Sequence, residues 1–341
     1  MNENKWYKEE QENSVAFSTR IRLARNLVGY PFPHTANTED KNKIINLVHN
    51  AIMKSDIAKE NNLKQLDLTK LSDADMYSLV EKHLISPGFV NDRKGKSVII
   101  SDDEKISIMI NEEDHIRIQI LSTNLDFENS LRIANNIDDV FDRNLEYAFS
   151  DTLGFLTQCP TNLGTGLRAS VMLHLPALEM GRYIDRLNST ISKLGLTIRG
   201  TFGEGSDVKG SFYQISNQVT LGISEEVAIE NLKSIVDQII AQEENARIQM
   251  FGDKDVIIDK VKRAAATLKN AHILSSDELI NLSSIVRLGI AMGIIDDISV
   301  KALNILMFEM GSAAIMAKYK KTLDPRERDL IRAKIAKEML M

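Results

Sequence analysis

The sequence predicts an α+β fold in which an antiparallel sheet flanked by helices is followed by an all-helical C-terminal domain. Three observations carry this expectation. Residues 97 to 122 hold three β-rich runs, SVIIS, KISIMI and IRIQILS, separated by the polar turns DDE and NEEDH, as in an antiparallel meander. Apolar residues recur at helical spacing near 38 to 54 (Ile44, Ile45, Val48, Ile52) and over 126 to 148 (Phe127, Leu131, Ala134, Ile137, Phe141, Leu145). From about residue 224 onward helical patterns follow one another without a strand-like run.

The remaining elements fall between these landmarks. Residues 14 to 26, SVAFSTRIRLARN, begin apolar and continue as a strand pattern in which Arg20 and Arg22, two apart, share a face. The stretch 154 to 170, GFLTQCPTNLGTGLRAS, is rich in turn formers, and the strand-like runs LTIRGTF and SFYQISN flank a polar loop, GEGSDVKG. Near Phe251 and Gly252 the helical pattern breaks, and four amphipathic stretches follow. An α+β domain over 1–250 and a helical domain over 255–341 are therefore expected, since 341 residues exceed the usual size of one core.

Composition narrows the function. With 43% hydrophobic and 26% charged residues the chain reads as a globular protein. No apolar run approaches the roughly 20 residues that cross a bilayer, and the polar start MNENKWYKEEQENS lacks a signal-peptide core, so no membrane role is expected. One cysteine, Cys159, precludes an internal disulfide and fits a reducing cytoplasm. A net charge of −6 argues against direct nucleic-acid binding as the main task. No P-loop, protein-kinase motif set, HExxH, CxxC or GxSxG is present.

What remains is a set of arginines beside glycines or in strand alternation: Arg20, Arg22, Arg117, Arg168 and Arg199. Arginine suits phosphate because its planar fork offers several donors and keeps its charge. Five of them could neutralise a triphosphate without a P-loop, with magnesium bridging the phosphates rather than held by a protein metal site. Taken singly, each is better explained by an exposed ion pair, less so for Arg168 and Arg199, whose neighbouring glycines allow close backbone approach to a ligand. The acidic turn Asn111-Glu112-Glu113-Asp114-His115 and Glu204 in GEGSD are likewise ordinary turn chemistry when read alone.

Read together, the blocks carry a resemblance. CPTNLGTG (159 to 166) resembles the signature of the ATP:guanido phosphotransferases, the phosphagen kinase superfamily. STRIR (18 to 22), NEEDHIR (111 to 117), GTGLRAS (164 to 170) and RGTFGE (199 to 204) resemble its other active-site blocks, in the family's order. Within it the chain is most similar to the bacterial protein arginine kinases of the McsB type, on NQVTLGISEE (217 to 226) and the helical C-terminal extension. The resemblance implies a phosphagen-kinase-like catalytic domain and a C-terminal domain for dimerisation and regulation. It implies that Arg20, Arg22, Arg117, Arg168 and Arg199 hold the ATP phosphates, with His83 against the nucleotide. The segments Ser18, Thr19 and Ile21, then Ala169, Ser170, Val171 and Met172, then Gly200, Thr201, Phe202, Gly203 and Glu204 complete the ATP site. Glu113 and Glu204 would grip the acceptor guanidinium, with Cys159 beside it as a thiolate that tunes the guanidinium rather than a nucleophile. The family's metabolic members carry a small helical domain ahead of the STRIR block. Only 17 residues precede Ser18 here, which favours an arginine already embedded in a polypeptide.

The implied chemistry follows from the acceptor. A guanidinium is a poor nucleophile because its lone pairs are delocalised and its pKa is above about 12. Two carboxylates can fix its plane and accept the proton lost as the N–P bond forms, Glu113 being assigned as the base and Glu204 as its partner. In the tail, DPRERDLIRAKIAKEML opens with Asp324 and Pro325 as a helix start and places Arg328 and Arg332 four apart. Alone this is a solvated helix face. RDLIRA is similar to the motif with which the resembling kinases bind phosphoarginine allosterically, through Arg328, Asp329, Arg332 and Ala333. The expected function is ATP-dependent phosphorylation of arginine in proteins. By resemblance, its partners include a stress-response repressor, a Clp-type AAA+ protease that degrades the marked proteins, an activator protein and a second copy of the chain. A free-arginine phosphagen kinase and a non-catalytic phosphoarginine-binding adaptor remain the alternatives.

Overall fold

The computed structural model describes residues 5–11, 14–200, 208–250, 252 and 254–341. The catalytic portion opens with β1 (Ala16–Arg25), α1 (Thr38–Met53), α2 (Asp56–Glu60), β2 (Lys64–Leu66) and α3 (Asp73–Glu81). The expected meander follows as β3 (Ser97–Ile100), β4 (Ile106–Ile110) and β5 (Ile116–Thr123), then α4 (Phe127–Asp142) and the two short strands β6 (Phe149–Ser150) and β7 (Gly154–Phe155). Next come β8 (Leu167–His174), α5 (Pro176–Met180), α6 (Ile184–Ser192), β9 (Leu196–Arg199), β10 (Phe212–Asn217) and α7 (Glu225–Met250). The tail holds α8 (Lys254–Asn270), α9 (Ser276–Ala291), α10 (Val300–Glu309), α11 (Ser312–Tyr319) and α12 (Pro325–Leu340). Eight strands run in the order β2-β3-β4-β5-β1-β8-β10-β9, and β6 pairs with β7 alone.

Two compact units result, neither continuous in sequence. One is built mainly from Ser18–Ser170 with Ser216–Lys233, the other from Tyr7–Phe17, Val171–Ile215 and Ser234–Met341. In the first unit β3, β4 and β5 pair antiparallel in sequence order, and β5 then pairs antiparallel with β1, Arg22 opposite Gln119 and Ala24 opposite Arg117. Ile21 and Leu23 are fully buried on one face of β1, which turns Arg20 and Arg22 to the other. Helix α1 buries Ile44, Val48 and Ile52 and starts on the Asn37 cap; Ile45 is half-buried. Helix α4 buries Phe127, Ala134, Ile137 and Phe141 but stops at Asp142, short of Leu145. The amides of Asn144 and Leu145 both turn back to the Phe141 carbonyl, which closes the helix.

In the second unit the tail helices share one apolar core that includes Leu268, Leu274, Val286, Leu306, Ile315 and Ala336. Among the described residues the tail has five helices where the sequence pattern suggested four. The apolar stretch 300 to 319 is broken because Gly311, extended at φ −61° and ψ 160°, starts α11. Arg332 holds the break by donating from Nε to the Met310 carbonyl at 2.8 Å. Helix α12 begins as expected: Asp324 accepts from the Glu327 amide and Glu327 accepts from the Asp324 amide, a capping box with Pro325 in the first turn.

Candidate active site

Strand alternation places the site. Residues opposite one another in an antiparallel pair lie on the same face, so Arg20 and Arg22 of β1 share a surface with Gln119 and Arg117 of β5. Arg168 comes from β8, the neighbour of β1 on its other side. The four guanidinium groups feel one another. Arg20 is pushed down to about 10 by burial and then by the charges of Arg168 and Arg117. Arg22 is held well below the ordinary arginine range by burial, then by Arg20, Arg117 and Arg168, with Glu112 opposing. The Nε of Arg22 is buried without a hydrogen-bond partner among the described residues. A buried donor among crowded cations is what an anionic ligand with several oxygens would satisfy.

His83 reaches the same surface from the end of α3. It adopts a left-handed conformation, φ +60°, and its carbonyl accepts from Gln119 Nε2 at 2.7 Å. Burial and then the charge of Arg20 push its imidazole down to about 3. An NMR titration of His83 is expected to place its midpoint at about 3 rather than at 6.5. The unfolded chain takes up this proton first, so the group removes stability as pH falls from 6.5 towards about 3. A midpoint near 6.5 would show that the imidazole is not enclosed.

The acidic turn is anchored on both sides. Arg117 bridges Glu112 through Nη1 (2.6 Å) and Glu113 through Nη2 (2.8 Å). Burial alone would raise the Glu112 carboxyl, but Arg117, the Ser86 hydroxyl and the Glu113 amide outweigh it and hold it low. Asp114, fully buried, accepts from Asn26 Nδ2 at 2.7 Å and from the Gln158 amide at 2.8 Å through Oδ1. That ties the turn carrying Glu113 to the loop carrying Cys159. His115 Nδ1 accepts from the Leu27 amide, so Nε2 carries the proton and donates to the Pro31 carbonyl. Cys159 is half-buried, its sulfur 3.0 Å from the Thr161 hydroxyl.

The glycines of the GTG loop permit close backbone approach. Gly164 has φ +102°, and a Cβ there would lie 2.2 Å from the Thr220 carbonyl oxygen. The Thr165 amide donates to that same carbonyl at 3.0 Å. Gly164→Ala is expected to destabilise the protein by about 1–3 kcal/mol, read by denaturant unfolding; an unchanged midpoint would mean the loop can shift freely.

Other expected residues have structural employment. Ser18 is buried, and the Thr19 hydroxyl donates to the Asn124 carbonyl and accepts from the Asp126 amide. Ile21, Ala169 and Val171 are fully buried, Ser170 and Met172 nearly so. The Ala169 amide donates to Asn217 Oδ1 at 2.8 Å. Arg199 ends β9 in the second unit, followed by buried Gly200. Thr201, Phe202, Gly203 and Glu204 lie outside the described residues. In the tail Arg332 is fully buried, with Nη1 donating to the Leu274 carbonyl at 2.8 Å and to Asp329 at 2.6 Å. Arg328 is half-buried and donates to the Leu323 carbonyl at 2.7 Å, while Ala333 is in the core. Among the described residues no group of three or more His, Cys, Asp or Glu side chains is arranged to hold a metal ion. Sequence reasoning assigned no role to Glu112, Asp114 or Gln119. The first two were visible in the same acidic turn, whereas Gln119 carries no local signal.

Comparison with known proteins gives the family. Residues 43–246 match the ATP:guanido phosphotransferase C-terminal catalytic domain, and residues 254–341 match the protein-arginine kinase McsB C-terminal domain. The protein-arginine kinase of Pelotomaculum thermopropionicum is 46% identical over 324 residues, covering 94% of this chain and 91% of that one. That of Clostridium novyi is 46% identical over 327 residues, with 96% and 95% covered. Among solved structures, a lombricine kinase aligns with a TM-score of 0.59 at 26% identity, over 69% of this chain and 68% of that one. A duplicated taurocyamine kinase from Schistosoma mansoni, 21% identical with a TM-score of 0.60 over 86% of this chain and 50% of its own, shares the fold.

Proposed function

The chain belongs to the ATP:guanido phosphotransferase family and is an ATP-dependent kinase of protein arginine, and we propose the following division of that work among its residues. The observation that carries the proposal is the convergence of Arg20, Arg22, Arg117 and Arg168 on one surface of β1, β5 and β8, with Glu113 bound to Arg117 at its edge. These arginines hold the ATP phosphates, and Arg199 joins them. His83, neutral near pH 7, lies against the nucleotide without adding charge. Magnesium, carried on the phosphates, supplies further charge neutralisation when bound. The clamp stabilises charge on the phosphoryl group in transfer. Glu113 and Glu204 hold the acceptor guanidinium in plane, Glu113 accepting its proton, and Cys159 stands beside it.

Beyond the chemistry, we infer a catalytic domain over 1–250 and a regulatory, dimerising domain over 255–341 that binds phosphoarginine through Arg328, Asp329, Arg332 and Ala333. In a cytoplasmic setting its products would be proteins marked for a Clp-type protease, a stress-response repressor among them, with an activator protein controlling the rate. No single helix among the described residues is long and apolar enough to cross a membrane.

Incubation with labelled ATP and either an arginine-containing protein or free arginine tests the acceptor. Label on the protein that is lost in acid, as a phosphoramidate is, is the expected result. Preferential labelling of free arginine would move the acceptor to the small molecule, and no labelling at all would leave a binding protein. For the clamp, Arg168→Ala is expected to raise the KM for ATP by about 10- to 100-fold, the loss of a charge-assisted hydrogen bond. An unchanged value would remove Arg168 from the nucleotide site.

A further inference from the structure

Arg25 closes β1, is 1% exposed, and lies on the strand face opposite Arg20 and Arg22. Its guanidinium grips Asp138 of α4, with Nε 3.1 and 3.0 Å from the two carboxylate oxygens and Nη2 2.7 Å from Oδ2. The remaining nitrogen, Nη1, turns to main chain and donates to the carbonyls of Ala24 (3.0 Å) and Thr165 (2.9 Å). The Phe155 ring covers the guanidinium with its centroid 3.6 Å from Cζ. Asp138 is itself steadied by the Tyr147 hydroxyl, which donates to Oδ1 at 2.7 Å. Thr165 is the middle residue of the GTG loop. Its neighbour Gly166 has φ +65°, and a Cβ there would meet the Ala24 carbonyl at 2.6 Å and Arg25 Nη1 at 2.7 Å. The Ala24 amide donates to the Gly166 carbonyl at 3.0 Å, and β8 begins at the next residue.

We propose that Arg25 is a positioning residue for nucleotide binding: by tying the Thr165 carbonyl to Asp138 it fixes where β8 starts, and so where Arg168 presents its guanidinium beside Arg20 and Arg22. The proposal rests on the reading of Arg168 as a phosphate ligand. A buried ion pair by itself adds little that a well-packed apolar pair would not. What an apolar residue could not do is hold a loop carbonyl and a helix carboxylate at once, which needs a fork with donors pointing in divergent directions. Displacement of a ligand-holding group by about 1 Å can cost about 100-fold in rate.

Arg25→Lys keeps the charge, but its three donors sit on one nitrogen and do not reproduce the grip of Nε and Nη2 on Asp138 together with Nη1 at the Thr165 carbonyl. Steady-state kinetics is expected to show the KM for ATP raised about 10-fold, with the KM for the protein acceptor changed by less than about twofold and the thermal midpoint little altered. Tyr147→Phe loosens the same anchor from the far side and is expected to raise the KM for ATP about threefold. Arg168→Ala serves as the reference. If Arg168→Ala raises the KM for ATP and Arg25→Lys does not, Arg25 has no positioning role. Equal rises in both KM values with a lowered midpoint would make it merely structural. An unchanged KM for ATP in Arg168→Ala would sink the clamp and this proposal together. Should Arg25→Lys not fold, Tyr147→Phe decides, and an unchanged KM for ATP there overturns the idea.

Discussion

Glu113→Gln is expected to lower kcat for arginine phosphorylation by about 10²–10⁴-fold, the usual contribution of a positioned general base. Affinity for ATP is expected to stay within about threefold, because the change touches one hydrogen bond at the edge of the clamp. The amide oxygen of glutamine can still accept from Arg117 Nη2, which now lies 2.8 Å from the carboxylate. Arg117 also keeps its bridge to Glu112 at 2.6 Å, so the guanidinium does not swing away. The variant loses basicity and a negative charge, the two properties the acceptor needs. Calorimetric titration with ATP and a single-turnover transfer assay separate these effects. Weakened ATP binding with normal transfer would assign Glu113 to the nucleotide side instead.

Arg332→Ala is expected to destabilise the protein by about 2–4 kcal/mol in denaturant unfolding, mainly from leaving buried carbonyls without a donor, since the Asp329 side chain is 26% exposed and can be hydrated. Arg332 is fully buried and serves the Met310 carbonyl, the Leu274 carbonyl and Asp329. Its removal strands two carbonyls around a cavity in the tail. Arg328→Ala, which removes from a half-buried side chain the bond to the Leu323 carbonyl and a weak one to Met316 Sδ, is expected to cost about 1 kcal/mol. A phosphoarginine site on α12 would have to share Arg332 with the two carbonyls. Arg328 is therefore the residue whose loss reads ligand binding without unfolding. A loss below about 1 kcal/mol in Arg332→Ala would show that the buried guanidinium is replaceable.

Much of this architecture is local information. The meander of β3, β4 and β5 could be read because alternating apolar runs were separated by polar turns, and α1 and α4 because their apolar periods are regular. Arg20 and Arg22 share a face for the same reason. Their meeting with Arg117 and Arg168 could not be read, since it depends on β1 lying between β5 and β8, segments distant in the chain. The Arg25–Asp138 pair, 113 residues apart, carries no sequence signal at all. At Met310 and Gly311 the apolar pattern continues across a backbone break, so composition misled where one extended glycine decided. A turn with two glutamates does not say which one faces an arginine, and the structure gives Arg117 both Glu112 and Glu113.

The crowding of four guanidinium groups has a thermodynamic consequence. The like charges that, with burial, hold Arg20 and Arg22 below the ordinary arginine range also attract whatever small anions the solution offers. If this surface holds the ATP phosphates as proposed, nucleotide capture is an ion exchange, in which small anions leave as ATP arrives. Its free energy contains the mixing entropy of the departing ions, so the apparent affinity is a property of the enzyme and its electrolyte together.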